Sequence, residues 1–352
     1  MKKVVLLLAL ALSSTIAFAQ SVNKAEVKQL QAFLAQPAKE AATNAQALKI
    51  VNVNAPSTWE GVVVENGHIV EIKWKDKKLA GTLNLSGFKN LRSVDVSRNA
   101  ITGFSVKGDA ALTTVNASRN RLTEVDFEGC PQLTDVSINN NRLTEVTISD
   151  VPAIKNLNVS NNDFVALDLS SSPTLQTLNC QGNDLETLTI DNCTALKNLY
   201  AGYNKLTGLT FVGVTNLQNM NLDGNRISSM VVSGLPSLST FVCTDNNMKT
   251  LGVRDCNALL DLICSYNDLT ELSVSECPRL LFVDCSYNDL STLNLSNQTF
   301  LQRLLCNNNE LTTLDVSFDT ALTYINCRFN QIVDMRTMGC DNLTMVACQW
   351  NY

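Results

Sequence analysis

The chain has 352 residues, 27 of them basic and 33 acidic, for a formal net charge of −6, with twelve cysteines and one histidine, His68. A lone histidine excludes multi-histidine metal sites and leaves Ser-His-Asp or Cys-His catalysis a single candidate base. The acidic balance argues against nucleic acid as a partner, and 45% hydrophobic with 17% charged residues describes a globular chain.

The N-terminus reads as an export signal over residues 1–19. Lys2 and Lys3 precede an unbroken apolar run from Val4 to Leu12, and Ala17-Phe18-Ala19 offers a small-x-small cleavage site. The run is too short to span a bilayer, which takes roughly 20 apolar residues. The first cysteine is Cys130, so no lipid-bearing cysteine follows the signal, and no later run is long enough for a transmembrane segment. The expectation is an exported protein: secreted, periplasmic or at the cell surface.

Residues 20–68 read as an N-terminal cap of one helix and a β-hairpin. Over 24–35, Val27, Leu30, Phe33 and Leu34 share one helical face, and Pro37 follows. Trp59 to Val64, a turn at Asn66-Gly67, and Ile69 to Trp74 have the pattern of a hairpin. His68, beside that turn, reads as a surface loop residue. A degenerate first repeat fills 69–90.

From Leu91 the chain aligns with itself every 21 residues without a gap. This gives twelve full repeats over 91–342 and a partial one over 343–352. Each reads L-x-x-L-x-L/C-x-x-N-x-L-x-x-L-x-L, then a polar turn. The Asn recurs in every turn: Asn99, Asn120, Asn141, Asn162, Asn183, Asn204, Asn225, Asn246, Asn267, Asn288, Asn309, Asn330 and Asn351. Leu259, Leu262 and Cys264 alternate with polar residues, as one short strand per repeat with a buried face does. The second apolar pair, such as Leu272 and Val274, also alternates and predicts an extended segment, not a helix. Thirteen stacked strands at about 4.8 Å give a solenoid roughly 55–60 Å long, expected to coil right-handed. The Asn column reads as structural, its amides satisfying backbone groups that no strand ladder pairs.

The cysteines fall into two columns of the same register. Cys180, Cys243, Cys264, Cys285, Cys306, Cys327 and Cys348 share one position, held elsewhere by Val96, Ala117, Ile138, Val159, Ala201 and Leu222. Cys130, Cys193, Cys256, Cys277 and Cys340 share a second. In-register neighbours with parallel Cβ directions sit about 4.8 Å apart, whereas a disulfide wants Cβ atoms about 3.8 Å apart. Both columns therefore read as free, buried thiols acting as small hydrophobes.

These repeats resemble the leucine-rich repeat family over residues 91–352, and the cysteine-bearing 21-residue turns are similar to those of internalin J-like bacterial surface proteins. The stretch from Trp59 through Gly61, Gly67 and Val70 to Leu79 and Gly81 is similar to N-terminal caps of the family. The resemblance implies a parallel β superhelix, mostly β and loop, whose inner, concave face carries the ligand site. It also implies protein–protein recognition or adhesion. No Ig-like domain and no wall-sorting signal follow the repeats, so covalent wall attachment is not carried over. The partial last repeat leaves Leu343, Val346 and Cys348 without a neighbour on one side. Trp350 and Tyr352 could fold over them as a lid, or the end could dock a partner or a second copy.

On the inner face and its edge the aromatics are Tyr200, Tyr203, Tyr266, Phe282, Tyr287, Tyr324, Phe329 and Trp350, with Arg98 and Arg119 toward the N-terminal end. Arg92, Arg121 and Arg142 lie near those arginines, and Asp268, Asp289 and Glu310 edge the aromatics. Exposed aromatics on one face mark a binding surface; at repeat spacing they also suit a platform for sugar rings. The function expected is an exported binding protein with a protein ligand. The alternatives are a glycan ligand at the aromatic column, or a structural envelope component. No nucleophile–base pair is visible, so no enzyme is expected. No cofactor is expected, and no metal, because no loop supplies a ligand cage.

Overall fold

The computed structural model describes residues 22–148, 151–295 and 298–352. The expected signal peptide, 1–19, lies outside the described residues. No helix among them is long and apolar enough to cross a membrane.

The cap begins with helix α1, Lys24–Leu34, which starts where the Asn23 side chain accepts the Ala25 N–H at 2.9 Å. Leu30, Phe33 and Leu34 are buried, while Val27 is only half-buried. Glu26 is buried beside them, at 3% exposure. Its carboxylate accepts the Ile69 N–H at 2.9 Å and lies 2.8 Å from the Nδ1 of His68. His68 is therefore not a loop residue. It is the first residue of a strand, and it ties the helix to the hairpin. A second helix, α2, Asn44–Ala47, was not legible in the sequence. Its Asn44 donates to the Phe33 and Ala80 carbonyls and accepts the Ala80 N–H, locking the cap to the first coil. Phe33 stacks on Trp74 at 6.1 Å inside this cap.

The hairpin strands β1, Val62–Glu65, and β2, His68–Lys73, pair antiparallel. β2 then pairs parallel with Ser93–Asp95, so the cap is continuous with the repeat sheet. That sheet has fifteen strands and runs in parallel register, turn after turn, to Met345–Ala347. Each repeat strand is three residues long, with its middle residue turned into the core, as Leu262, Val283, Leu304 and Ile325 are. The second apolar pair of the repeat is extended, as expected: among the described residues it forms four small parallel sheets of two or three strands on the opposite side of the coil. The result is a β-solenoid of about 13 turns with two short helices at one end.

The ladder asparagines fill the bend after each strand. The Asn225 Nδ2 donates to the carbonyl of Ala201 in the preceding turn and to Leu222 and Asp223 in its own, while its Oδ1 accepts the Leu206 N–H. The same four contacts recur at Asn204, Asn246, Asn288 and Asn330. Each amide thus fastens two turns together through backbone groups that no strand reaches.

All twelve cysteines are free, and all but Cys348 are buried. Cys348 departs from its column because no further turn covers it. Burial pushes the thiols of Cys180 and Cys285 up to about 12, and those of Cys193 and Cys327 up to about 11. Because the thiolate is the reactive form, such thiols are inert. A disulfide-exchange thiol reagent is expected to modify one cysteine per native chain, Cys348, and all twelve after unfolding without reductant. Markedly fewer than twelve in denaturant would reveal disulfides.

The second cysteine column does more than fill space. It is the nineteenth position of the repeat, and its Sγ–H reaches back to a carbonyl of the preceding turn. Cys130 donates to Val106, Cys193 to Leu169 and Cys340 to Val316. Elsewhere the same column holds Asp109, Ser172, Gln298 and Asp319, and the buried apolar residues Val151, Val214 and Leu235. The side-chain polar atoms that are buried without a partner among the described residues all belong to Asp109, Ser172 and Gln298. The position thus takes a small polar or an apolar side chain, and a carboxyl placed there can donate only when protonated. Burial raises Asp109 to about 8 and Asp319 to about 6.

Candidate functional site

The inner surface has two kinds of outward position. The first and third residues of each strand flank the buried middle one, so their side chains form columns across the sheet. Asp261, Phe282, Arg303 and Tyr324 lie in register in the first column. Tyr200, Val242, Ile263 and Leu305 lie in the third.

The other position is the residue just before each ladder Asn, at the edge where the chain leaves the strand. Its φ lies between +51° and +65° in every turn from Arg98 to Trp350. This conformation turns its N–H toward the next turn, as Tyr203 does to the Asp223 carbonyl at 2.7 Å, and sends the following Asn inward. Gly182, Gly224, Asn140, Asn161, Asn308 and Asp245 suit it. Arg98, Arg119, Tyr203, Tyr266, Tyr287, Phe329 and Trp350 occupy it at a conformational cost of about 1–2 kcal/mol each. These aromatics are not interior: Tyr203 is 61% exposed, Tyr266 56%, Phe329 50% and Trp350 72%.

The rings pack along the coil axis on one another. Tyr266 and Tyr287 stack at 4.4 Å and 8°, and Phe329 and Trp350 at 5.7 Å and 8°. Tyr203 lies against Gly224, where a Cβ would come within 2.8 Å of its ring. The stacks therefore present ring edges to solvent. Desolvation, then the neighbouring Tyr287, raises the Tyr266 hydroxyl; the Asp223 carboxylate raises that of Tyr203. On the strand column, the Arg303 guanidinium sits between Phe282 and Tyr324, 5.2 Å and 5.7 Å from the ring centroids.

The expected residues do not form one cluster. Tyr266 and Tyr287 make one pair, Phe329 and Trp350 a second, and Phe282 with Tyr324 a clamp around Arg303. Tyr200 stands alone at the end of its strand. Arg98 and Arg119 are exposed, form no ion pair among the described residues, and lie four turns or more from Tyr203, about 19 Å or more away. Arg92 instead pairs with Glu65 at 2.6 Å. Trp350 and Tyr352 do not close the end of the coil: Tyr352 is exposed, and Val346 is far more open than its counterpart Ile325. No group of three or more His, Cys, Asp or Glu among the described residues is placed to hold a metal ion. A cavity of about 570 Å³ lies on the opposite side of the coil along Glu271–Ser275 and contains none of these residues.

No family model and no curated protein sequence matches the chain. Solved structures do. A leucine-rich repeat protein of Leptospira interrogans superposes with a TM-score of 0.61 at 18% identity, over 75% of this chain and 79% of its own. The leucine-rich repeat domain of FLRT2, solved with Latrophilin 3 and Unc5D, gives 0.55 at 18% identity, over 72% and 84%. The fold is that of the leucine-rich repeat proteins. The cysteine-ladder domain of InlJ from Listeria monocytogenes gives 0.48 at 17% identity, over 82% and 71%.

Within this leucine-rich repeat coil, Arg303 is the inner-face residue that sequence reasoning missed. The signal was present: Phe282, Arg303 and Tyr324 are 21 residues apart, so one column holds ring, cation, ring. Reading aromatics alone hid the cation between them.

Proposed function

We propose that the chain is an exported binding protein that recognises a protein partner through the aromatic, C-terminal half of its inner face. The carrying observation is the set of bulky rings kept in left-handed backbone positions. Gly, Asn or Asp occupies the same position in other turns without strain, and the exposed rings bury too little to recover the conformational cost through packing. Strain held at one edge of a rigid scaffold is characteristic of functional sites. Aromatic residues are also the side chains that carry most energy in protein interfaces. The related repeat domain solved with Latrophilin 3 and Unc5D supports a role in protein recognition. A glycan platform is the weaker reading, because stacking a sugar needs a free ring face and each paired ring gives one of its two faces to its partner. The pattern read as an export signal over 1–19 supports recognition outside the cytoplasm.

A capture experiment tests this. Immobilised wild-type protein and the triple variant Tyr266→Asn, Tyr287→Asn, Phe329→Asn are exposed to cell-surface protein extracts. The variant is expected to lose captured protein at least tenfold, while Val231→Ser, on the opposite side of the coil, retains it. Equal capture by the triple variant would show that another surface binds.

A further inference from the structure

The geometry points to Arg303 as a built receptor for a carboxylate, so that the inner face takes an acidic peptide segment of its partner, with Asp or Glu flanked by apolar residues. This rests on reading the face as a protein-binding surface. The guanidinium carbon lies over the rings of Phe282 and Tyr324, one turn to either side, at 5.2 Å and 5.7 Å from their centroids. Arg303 is exposed, so its planar fork of N–H donors is open to a ligand. Clamped between rings, the side chain has little rotamer freedom left to lose on binding. No carboxylate among the described residues pairs with it. Asp284, on the neighbouring strand, is engaged elsewhere: its Oδ1 accepts the Ser286 N–H at 3.0 Å and the Ser286 hydroxyl at 2.6 Å.

The surroundings define the rest of the ligand. Leu305 faces outward on the same strand as Arg303, and beyond Asp284 its column continues with Ile263 and Val242. The Tyr266–Tyr287 stack lines the adjoining edge and offers ring rims and hydroxyls. A cation with apolar ground beside it suits a carboxylate carried on an apolar stretch of chain. An acidic sugar fits less well, because Arg303 itself occupies a face of each clamping ring.

A random peptide library displayed on phage, selected on the full-length protein, tests the assignment. Enriched peptides are expected to carry Asp or Glu beside apolar residues. Their affinity is expected to fall at least tenfold on Arg303→Met, which keeps the stem and removes the charge, and to recover only in part on Arg303→Lys, which lacks the planar fork. Unchanged circular dichroism and unfolding midpoint establish that both variants fold. Peptides that lose affinity on the triple Asn variant but not on Arg303→Met would overturn the carboxylate receptor and leave protein recognition standing. Arg303-dependent binding of uronate or sialylated glycans, without peptide binding, would overturn the peptide class. Peptides indifferent to both sets of substitutions, or no enrichment, would overturn the face as well.

Discussion

Asn225→Ala is expected to lower the unfolding free energy by about 1–3 kcal/mol, measured by urea denaturation. The side chain is 6% exposed and its amide meets three carbonyls and one N–H across two turns. Alanine leaves the buried Leu206 N–H without its acceptor, whereas the Ala201 carbonyl keeps the Asn204 amide. Leaving one such group unmade costs about 1–3 kcal/mol. Because a solenoid couples each turn only to its neighbours, the damage stays local and the flanking turns keep their own contacts. A loss under about 0.5 kcal/mol would mean that the bend satisfies itself without the amide.

The pH dependence of stability is the second large effect, and it runs opposite to ordinary acid denaturation. An unfolded aspartate gives up its proton near pH 4, whereas buried Asp109 holds its proton to about pH 8. Between these values the native state binds more protons than the unfolded chain, so stability falls as pH rises, by roughly 1.4 kcal/mol per unit across the window. Asp319, raised to about 6, adds to the fall over the lower part of the window. Asp109→Asn keeps a donor in the column and loses the titration. The wild type is therefore expected to lose several kcal/mol relative to this variant between pH 5 and pH 8. A constant difference across that range would contradict a protonated Asp109.

The repeat made most of the fold legible. A 21-residue period with an Asn in every turn leaves little freedom in where strands and bends fall, and the three-residue strands follow it residue by residue. The cap was legible only where periodicity reached it. Leu30, Phe33 and Leu34 showed a helical face, but α2 is too short to show a period, and no local pattern marks Glu26 as buried, because its partners, Ile69 and His68, are distant in sequence. The nineteenth position was half legible. Its cysteines stood out, whereas Asp109, Ser172 and Asp319 in the same column looked like ordinary turn residues. At the candidate site, sequence located the aromatics but not their orientation. Rings spaced by one turn suggested an open platform, yet a spacing of about 4.8 Å is close to stacking distance, so Tyr266 and Tyr287 close on each other.

The most direct test separates recognition from groove filling by thermal unfolding of the triple variant Tyr266→Asn, Tyr287→Asn, Phe329→Asn. Each substitution relieves about 1–2 kcal/mol of left-handed strain, while the two broken ring stacks were worth about 0.5–1.5 kcal/mol apiece. If the rings are kept for binding, Tm should stay within about 3 °C of the wild type or rise. A fall of about 10 °C or more would show that the rings hold the coil together and would contradict the account.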